Sequence, residues 1–397
     1  MSRLEFVVLL WASLPLAAQP RIANCPVFPR QNIWNVRIDH LPVHHLSSRI
    51  IQTVGPERTL HPDFVIPYVV VPVNQPKLNV HLDSDESDHG PYPIPPNPPI
   101  EIGEDKHILV ITQSECKLYE LDVAELKNGV WHGYSGAIFD LRSNMLRPDG
   151  WTSSDAAGLP VFPGLVRYDE VASGVIRHAL RVTVPKTRTT YVWPARHYAS
   201  KLDGEEYPMM GQRFRLKASY DISGFHPQVQ VILQALKTYG MMIADNGEGW
   251  YITGAPDPRW DNEILAQLKR VRGTDLEAVV TTTLQRAFDS GVAVDPNMSN
   301  RLKVEFSPTP EFDLLVAGTQ SITLTGDVTG ARIVNVPDGQ PVSFLICQDA
   351  AGGHAFPWPS NVLGGMQVGT NPGKCSAQTF VGDGTKLYAT TPGVANL

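Results

Sequence analysis

The sequence predicts a mainly β protein, in which an antiparallel β-sandwich or jelly-roll-like domain with two short helices precedes a small all-β module. Three observations support this fold class. The 397 residues include 34 prolines and 32 glycines, which favour turns and short elements over long helices. Several short segments alternate apolar and polar residues, as half-buried strands do. From Phe312 onward the composition changes to Thr, Val and Gly around short β segments, which indicates a second, smaller module.

Length and composition indicate a globular chain with room for two cores. Hydrophobic residues make up 42% of the chain and charged residues 18%, a balance that excludes wholesale disorder. The net charge is −7 and no cluster of Lys and Arg stands out, so no nucleic-acid partner is expected. We expect a main domain over 20–281 with a Pro-rich N-terminal arm, a connector over 282–311, and a β-sandwich accessory module over 312–397.

The N-terminus has the features of a secretory signal. Arg3 precedes an apolar segment over 6–16, and Ala17 and Ala18 are small residues suited to cleavage, so we expect a signal peptide over 1–19 and an extracellular protein. The apolar segment is short for a membrane span and no later segment reaches that length, so no membrane span is expected.

The four cysteines fit an exported chain, because an even number there favours disulfides over metal ligation. Three pairings are possible. The domain division favours Cys347 with Cys375, both in the C-terminal module, and therefore Cys25 with Cys116.

The arm and the regular elements follow from local patterns. Prolines spread over residues 20–100 disfavour helices there and predict an extended arm, pinned to the body through Cys25. The predicted strands of the main domain cover residues 107–111, 117–121, 136–140, 179–184, 190–193 and 213–217. One helix is expected from Pro227 to Gly240 and another from Asp261 to Gly273. Between them, residues 241–244 and 250–253 predict a hairpin.

The stretch from Ser135 to Arg181 holds most of the candidate chemistry. Two carboxylates across a glycosidic bond, one protonated and one ionised, are what acid/base hydrolysis requires. The candidate catalytic residues are Asp140, Asp155, Asp169, Glu170 and His178. The candidate substrate-binding residues are Arg167 and Arg181, which can hold a carboxylate, and Trp151, Tyr134 and Tyr168, which can stack on sugar rings.

Each of these residues also has a structural interpretation, which stays open at this point. Asp155 can be a capping residue, Asp169 and Glu170 can begin a local helical turn, and Trp151 can belong to the core.

Metal and cofactor signals are weaker. The acidic loop with Asp83, Asp85 and Asp88 resembles calcium chelation by oxygens, but its spacing does not complete an EF-hand, and a solvated loop is the alternative. His40, His44 and His45 surround Pro42, which argues against a helical zinc pair, so no metal site is assigned. The chain has no GxSxG elbow, P-loop or GxGxxG fingerprint, so no cofactor is expected.

Several long motifs carry a family resemblance. The segments SGAIFDLRSNMLRPDGWTSSDAAGLP, GLVRYDEVASGVIRHALR, YVWPARH and MGQRFRLK resemble an uncharacterised family of secreted proteins from soil bacteria, over about residues 24–280. This resemblance implies membership but no activity. The segments FLICQDAAGGHAFPWP and KCSAQTFVGDGTKLYA resemble β modules appended to secreted or phage-like proteins, which implies an accessory or surface-binding role.

The sequence therefore predicts a secreted carbohydrate-active enzyme that acts on a polysaccharide or cell-surface glycan. A hydrolase is preferred over a lyase. The alternative is a non-catalytic protein, either a carbohydrate-binding adhesin or a structural envelope protein. Geometry separates the two, because an enzyme needs two acids facing one groove, whereas capping residues are scattered.

Overall fold

The structure, a computed structural model, describes residues 20–294, 301–314 and 317–397. The chain forms two compact units, one ending at Thr281 and one beginning at Thr282. Both consist mainly of β-strands with few short helices, as the composition predicts. The predicted signal peptide, residues 1–19, lies outside the described residues.

The first unit is built from short strands and four-to-twelve-residue helices. Its strands are β1 (Arg21–Ile22), β2 (Cys25–Pro26), β3 (His61–Asp63), β4 (Tyr68–Val71), β5 (Val80–Leu82), β6 (Ile108–Thr112), β7 (Lys117–Leu121), β8 (Glu125–Lys127), β9 (Val130–Gly133), β10 (Gly136–Asp140), β11 (Leu180–Val184), β12 (Arg213–Leu216), β13 (Met241–Asn246), β14 (Tyr251–Thr253) and β15 (Leu276–Val279). Its α-helices are α1 (Ser47–Val54), α2 (Tyr168–Ala172), α3 (Pro227–Thr238) and α4 (Asn262–Leu265).

Two sheets of the first unit matter for the site. One has four strands in the order β10-β7-β6-β4, and the other has six in the order β15-β12-β13-β11-β14-β3. Antiparallel pairs are interrupted by parallel pairs at β4–β6, β11–β13 and β3–β14. The central strands β6 and β11 are almost entirely buried. Strand β6 is apolar on both faces, whereas β11 has one apolar face and one face that carries Arg181 and Thr183.

Most predicted strands form at or within one residue of the expected bounds. The exception is the segment 190–193, which is not a strand. Only an isolated bridge joins Tyr191 to Met210 there. Pro194 follows directly and has no N–H to continue a ladder.

The helix predicted from Pro227 is confirmed as α3, whose buried residues face the sheet. It ends before Gly240, which has a φ of +68° and whose N–H donates to the carbonyl of Ala235. The side chain of Asp261 accepts from the backbone N–H groups of Glu263 and Ile264, at 2.8 and 3.2 Å, and so caps α4. That helix then tightens into a 3₁₀ turn over Ala266–Arg270.

The hairpin predicted around residues 245–247 is wrong. The strand β11 lies between β13 and β14, parallel to the first and antiparallel to the second. In the middle of the sheet both edges of β11 are paired and the strand is almost entirely buried. The turn residues between β13 and β14 give no indication that another strand is inserted between them.

The Pro-rich arm is more regular than predicted. It contains the helix α1, which fits between Pro42 and Pro56 rather than being broken by them. Its strands β3 and β4 extend the two larger sheets. Buried arginines of β12 hold other parts of the arm: Arg213 donates to the carbonyl of Ile33, and Arg215 donates to those of Ile38 and Leu41.

The second unit has one six-stranded sheet in the order β16-β18-β20-β22-β23-β21 and a two-stranded sheet of β17 and β19. Its strands are β16 (Arg301–Val304), β17 (Glu311–Asp313), β18 (Thr319–Leu324), β19 (Arg332–Val334), β20 (Asp338–Gln348), β21 (Val362–Leu363), β22 (Cys375–Asp383) and β23 (Leu387–Ala389). The segment predicted as a connector thus contains β16, which pairs with β18. Phe312, Phe344 and Phe380 lie at the centre of its core.

Both predicted disulfides are confirmed. Cys25 bonds to Cys116 and ties the arm to the turn between β6 and β7, while Cys347 bonds to Cys375 directly across β20 and β22. Within the described part of the chain, no helix is both long enough and apolar enough to cross a membrane.

Candidate functional site

The first unit contains a solvent-open cavity of about 280 Å³ that we call the acidic pocket. Its lining is rich in carboxylates, hydroxyls and imidazoles and combines residues far apart in the sequence. The lining residues are Ser84, Glu86, Asp105, His107, Asp122, Tyr134, Thr152, Ser153, Ser154, Asp155, Ala156, His197, Ala199 and Asp245.

Strand pairing places one wall of the acidic pocket. In the antiparallel pair β6–β7, Ile108 lies opposite Leu121, so His107 and Asp122 come together at the same end of the sheet. The next pair, β7–β10, brings Ser135 beside Asp122, and the backbone N–H of Ser135 donates to Asp122 Oδ1 at 2.6 Å. Burial raises the pKa of the Asp122 carboxyl above its usual value.

A β-bulge places the opposite wall. Along β11 and β13 the register moves from Val182 opposite Ile243 to Thr183 opposite Asp245, which skips Ala244. Because side chains alternate between the faces of a strand, this shift puts Asp245 on the face that carries Arg181. Asp245 Oδ2 lies 3.7 Å from Arg181 Nη2.

Asp155 meets the same guanidinium from a loop. Arg181 Nε donates to Asp155 Oδ2 at 2.7 Å and Arg181 Nη2 donates to Asp155 Oδ1 at 2.6 Å, a bidentate pair. The loop is held in place because the N–H of Ala157 donates to the carbonyl of the bulged Ala244 at 2.9 Å. Two carboxylates, Asp155 and Asp245, therefore share one guanidinium nitrogen.

The two carboxylates have different surroundings. Asp155 is fully buried with both oxygens bonded to Arg181, whereas the Asp245 side chain is 26% exposed and lines the pocket. Burial, and then the neighbouring Asp155, raises the pKa of Asp245 to about 7, although Arg181 acts in the opposite direction. These surroundings therefore favour the protonated form of Asp245.

A buried histidine, His107, lines the end of the pocket near β6 and pairs with the buried side chain of Glu101. His107 Nδ1 lies 2.5 Å from Glu101 Oε2, and their side chains are 3% and 9% exposed. His107 Nε2 lies 2.8 Å from the carbonyl oxygen of Ser154. Burial opposes protonation, but the hydrogen bond with Glu101 raises the pKa of His107 to about 9.

One buried polar group in the pocket is unsatisfied. Ser154 is 4% exposed and lines the pocket, yet its Oγ has no hydrogen-bond partner among the described residues. A buried hydroxyl of this kind normally finds a partner, so its position beside a cavity leaves it available to hydrogen-bond with a ligand there.

Of the residues predicted from sequence, the structure brings Asp155, Arg181 and Tyr134 to the acidic pocket. Arg181 lies behind Asp155 and Asp245, and Tyr134 is 52% exposed on the pocket wall. Trp151 directly precedes the lining residue Thr152 and packs against the guanidinium of Arg147.

Three other predicted residues form a separate buried group, the Glu170 cluster of Arg167, Glu170 and His178. Glu170 accepts from Arg167 Nη2 at 2.8 Å and lies 3.0 Å from His178 Nε2. His178 is fully buried, and its Nδ1 lies 2.8 Å from the carbonyl of Ala179. Although burial acts to raise the pKa of Glu170, the charges of Arg167 and His178 lower it to about 2. These three side chains bind one another, and none of them lines the acidic pocket.

The remaining candidates lie on the surface. Asp169 is 77% exposed and pairs with Arg259, whose guanidinium lies over the ring of Tyr168 at 4.2 Å. Asp140 is 38% exposed at the end of β10 and accepts from the backbone and side chain of Arg142.

The acidic loop considered for calcium is tied into the protein by its own side chains. Asp88 Oδ2 accepts from Arg147 Nη1 at 2.6 Å and from the N–H of Ile138 at 2.8 Å. Asp83 lies 3.6 Å from His81 Nε2, and Asp85 is not buried.

Sequence reasoning missed Asp105, His107, Asp122 and Asp245. A usable signal existed for two of them, because Asp122 directly follows strand β7 and His107 directly precedes strand β6. Asp245 was taken for a turn residue, and only the bulge reveals its role.

Comparison of the chain with protein-family models, curated proteins and solved structures returned no match. The family resemblance drawn from the motifs therefore stays a prediction.

Proposed function

We propose that the protein is a secreted carbohydrate-active hydrolase in which Asp245 protonates the leaving oxygen of a glycosidic bond. The observation that carries this proposal is the pairing of Asp155 and Asp245 at Arg181 Nη2. Two carboxyl groups with different environments are the usual basis for assigning an acid catalyst, because burial keeps one of them protonated. A donor with a pKa of about 7 suits acid catalysis near neutral pH.

The second catalytic role falls to Asp122. It lines the same pocket as Asp245, and its orientation is set by the N–H of Ser135. In this proposal the Asp122 carboxylate takes a proton from water while Asp245 donates one, so the C–O bond to the leaving group breaks as water adds to the sugar. Asp155 does not react, since Arg181 occupies both of its oxygens.

A sugar substrate fits the lining. Ser84, Thr152 and Ser154 supply hydroxyl groups, which suit a ligand with many hydroxyls. An aromatic strip begins in the pocket at His197, whose ring stacks on that of Tyr198 with centroids 5.8 Å apart, and Tyr198 stacks on Tyr191 at 6.4 Å. Such ring faces pack against the C–H faces of sugars.

The two disulfides are compatible with an extracellular location, which suits the same proposal. The disulfides Cys25–Cys116 and Cys347–Cys375 are typical of oxidising compartments, where polysaccharides and cell-surface glycans are found. Secretion itself rests on the predicted signal peptide.

The test is turnover of a polysaccharide panel by the purified protein and its Asp245→Asn variant, read as released reducing sugar. Loss of the proton donor is expected to lower kcat about 100-fold or more. The matched control is Asp203→Asn, an exposed aspartate outside the pocket lining, which should leave kcat unchanged. Activity of the wild type should fall as the pH rises through about 7, because Asp245 then loses its proton.

Full kcat in Asp245→Asn on a substrate that the wild type hydrolyses would contradict the assignment of the acid. Absence of turnover across the panel by the wild type would contradict hydrolysis itself.

The aromatic strip of His197, Tyr198 and Tyr191 favours one second candidate, a glycan-binding protein without catalysis. In that case glycans bind the wild type and Asp245→Asn equally and are not cleaved, whereas Tyr198→Ala lowers the affinity.

A further inference from the structure

We propose that Glu101, Asp105 and His107, of which the last two line the acidic pocket, bind a divalent transition-metal ion with the chemistry of Zn²⁺. This site goes beyond the proposed function, which uses none of these three residues. One potential ligand atom from each residue lies within 4.8 Å of those of the other two. A cation between them would be within bonding reach of all three after small side-chain rotations.

The orientation of His107 is that of a metal ligand. Its Nε2 faces the carbonyl oxygen of Ser154 at 2.8 Å, so the Nε2 proton is donated there and Nδ1 points toward Glu101. Histidines that bind metals commonly donate their other ring N–H to a backbone carbonyl in this way. A metal ion would take the place of the proton that Nδ1 and Glu101 share without it.

Two of the three ligands are buried and the third is exposed at the cavity. His107 and Glu101 are almost fully buried, whereas Asp105 is exposed and lines the pocket. A bound ion would therefore be held from behind by two rigid groups and would keep an open position toward the cavity. Three protein ligands and one open position are typical of catalytic zinc sites.

Charge favours a cation at this wall. Asp105, Asp122, Asp155 and Asp245 all line the pocket, and the buried Arg181 offsets part of that negative charge from behind Asp155. Carboxylates alone would not identify a metal site.

The unpartnered hydroxyl of Ser154 lies beside this wall. Its Oγ is buried without a hydrogen-bond partner among the described residues, and its own carbonyl faces His107. A water molecule on the open position of a bound ion would supply the missing partner. The combination of an imidazole nitrogen with two carboxylates favours Zn²⁺ over Ca²⁺, which prefers oxygen ligands throughout.

The test is isothermal titration of the tag-free full-length protein with Zn²⁺ and, separately, with Ca²⁺, after removal of metals by chelation. We expect one Zn²⁺ per chain with micromolar affinity. Asp105→Asn should weaken that affinity by about tenfold or more without lowering the thermal stability of the metal-free protein, because Asp105 is exposed. The matched control is Glu104→Gln, an exposed acid one residue away, which should bind Zn²⁺ as the wild type does.

Three outcomes would overturn the proposal. The first is the absence of Zn²⁺ binding, and the second is binding of Ca²⁺ alone, which would leave no role for the imidazole. The third is Zn²⁺ binding that persists in Asp105→Asn, as expected if the ion binds at the surface pair His81 and His132, whose rings lie 5.0 Å apart. Anomalous scattering at the zinc edge from a crystal should place the ion at His107 Nδ1.

The readout is metal binding rather than turnover, so this test and that of Asp245→Asn fail separately. If the protein binds Zn²⁺ but cleaves no glycan, the proposed metal site stands and the proposed hydrolase activity is contradicted. If the protein cleaves a glycan but does not bind Zn²⁺, only the proposed metal site is contradicted.

Discussion

Glu170 and Asp245 show how neighbouring groups set the role of a carboxylate. Arg167 and His178 surround Glu170 and lower its pKa to about 2, against the effect of burial. Asp245 lies beside Asp155, and both carboxyl groups contact the guanidinium of Arg181. Burial, and then the charge of Asp155, raises the pKa of Asp245 to about 7. The Glu170 carboxyl is therefore ionised at neutral pH, whereas the surroundings of Asp245 favour its protonated form, although both are acidic residues beside buried arginines.

The Glu170 cluster leads to a stability prediction. Glu170→Gln should lower the free energy of unfolding by about 3 kcal/mol at pH 7, because it leaves Arg167 and His178 buried without their anion. The pKa of Glu170 is lowered from 4.5 to about 2, so its contribution is present above pH 4.5 and is lost as the pH falls toward 2. Urea denaturation across this range should show the wild type and variant converging in acid.

The neighbouring Asp169→Asn is the control for this prediction. Asp169 is 77% exposed, so its pair with Arg259 should contribute no more than about 0.5 kcal/mol. If Glu170→Gln and Asp169→Asn lowered the free energy of unfolding equally, the burial of Glu170 would not be the source of its stabilising effect.

Single side chains also join elements of the first unit. Glu120 on β7 is fully buried and accepts the backbone N–H groups of Val161 and Phe162, at 3.0 and 2.9 Å. These two groups begin the 3₁₀ turn Phe162–Gly164, so the strand side chain caps a turn that lies 41 residues later in the chain. The contact links β7 to the segment that leads into the Glu170 cluster.

Glu120 also makes stability depend on pH. Burial raises its pKa from 4.5 to about 7, although the N–H groups of Val161 and Phe162 oppose this. Because the folded protein holds the proton more tightly, its stability falls as the pH rises from 4.5 to about 7, by up to about 3 kcal/mol. Glu120→Gln keeps an acceptor oxygen and removes the titration, so its unfolding free energy should change less between pH 5 and pH 8.

Asp245 titrates in the same range and direction, so only the difference between wild type and Glu120→Gln reports on Glu120. Parallel curves of unfolding free energy against pH for the two proteins would refute this prediction.

At the scale of the whole molecule, each compact unit has its own core and its own disulfide. Cys25–Cys116 closes 91 residues of the first unit and Cys347–Cys375 closes 28 residues of the second. A cross-link restricts the unfolded chain more when it closes a longer loop.

Removing each disulfide should therefore affect its own unit. Replacing Cys25 and Cys116 with Ser should destabilise the first unit by about 4.6 kcal/mol, and the same change at Cys347 and Cys375 should destabilise the second unit by about 3.6 kcal/mol. Hydrogen exchange measured by mass spectrometry resolves the two units. Loss of protection spread equally over residues 20–281 and 282–397 in either variant would contradict this expectation.

Sequence patterns predicted the features that depend on neighbouring residues. The alternation of apolar and polar residues located β7 and β10, Pro227 and Gly240 located the ends of α3, and the domain division identified both disulfides. The helix α1 was missed because the prolines of the arm were taken as breakers, although none lies within Ser47–Val54.

The candidate site was predictable only in part. Asp155, Arg181 and Tyr134 lie in the stretch that composition singled out, and all three belong to the acidic pocket or directly adjoin it. Glu170 and His178 lie in the same stretch, but they bind each other and Arg167 in a separate cluster. A high density of polar residues along the chain locates a stretch with polar side chains to bury, but it does not distinguish a ligand-binding cleft from a buried ion cluster.

Composition and local patterning by themselves established a mainly β chain of two parts with two disulfides, because strand alternation, helix ends and cysteine number are local properties. The acidic pocket arises only in the folded chain, since it requires the insertion of β11 between β13 and β14 and the skipped residue Ala244. That single-residue shift turns Asp245 toward Arg181 and Asp155. Register is set by the way whole strands are buried against one another, and no single segment of the sequence carries that information.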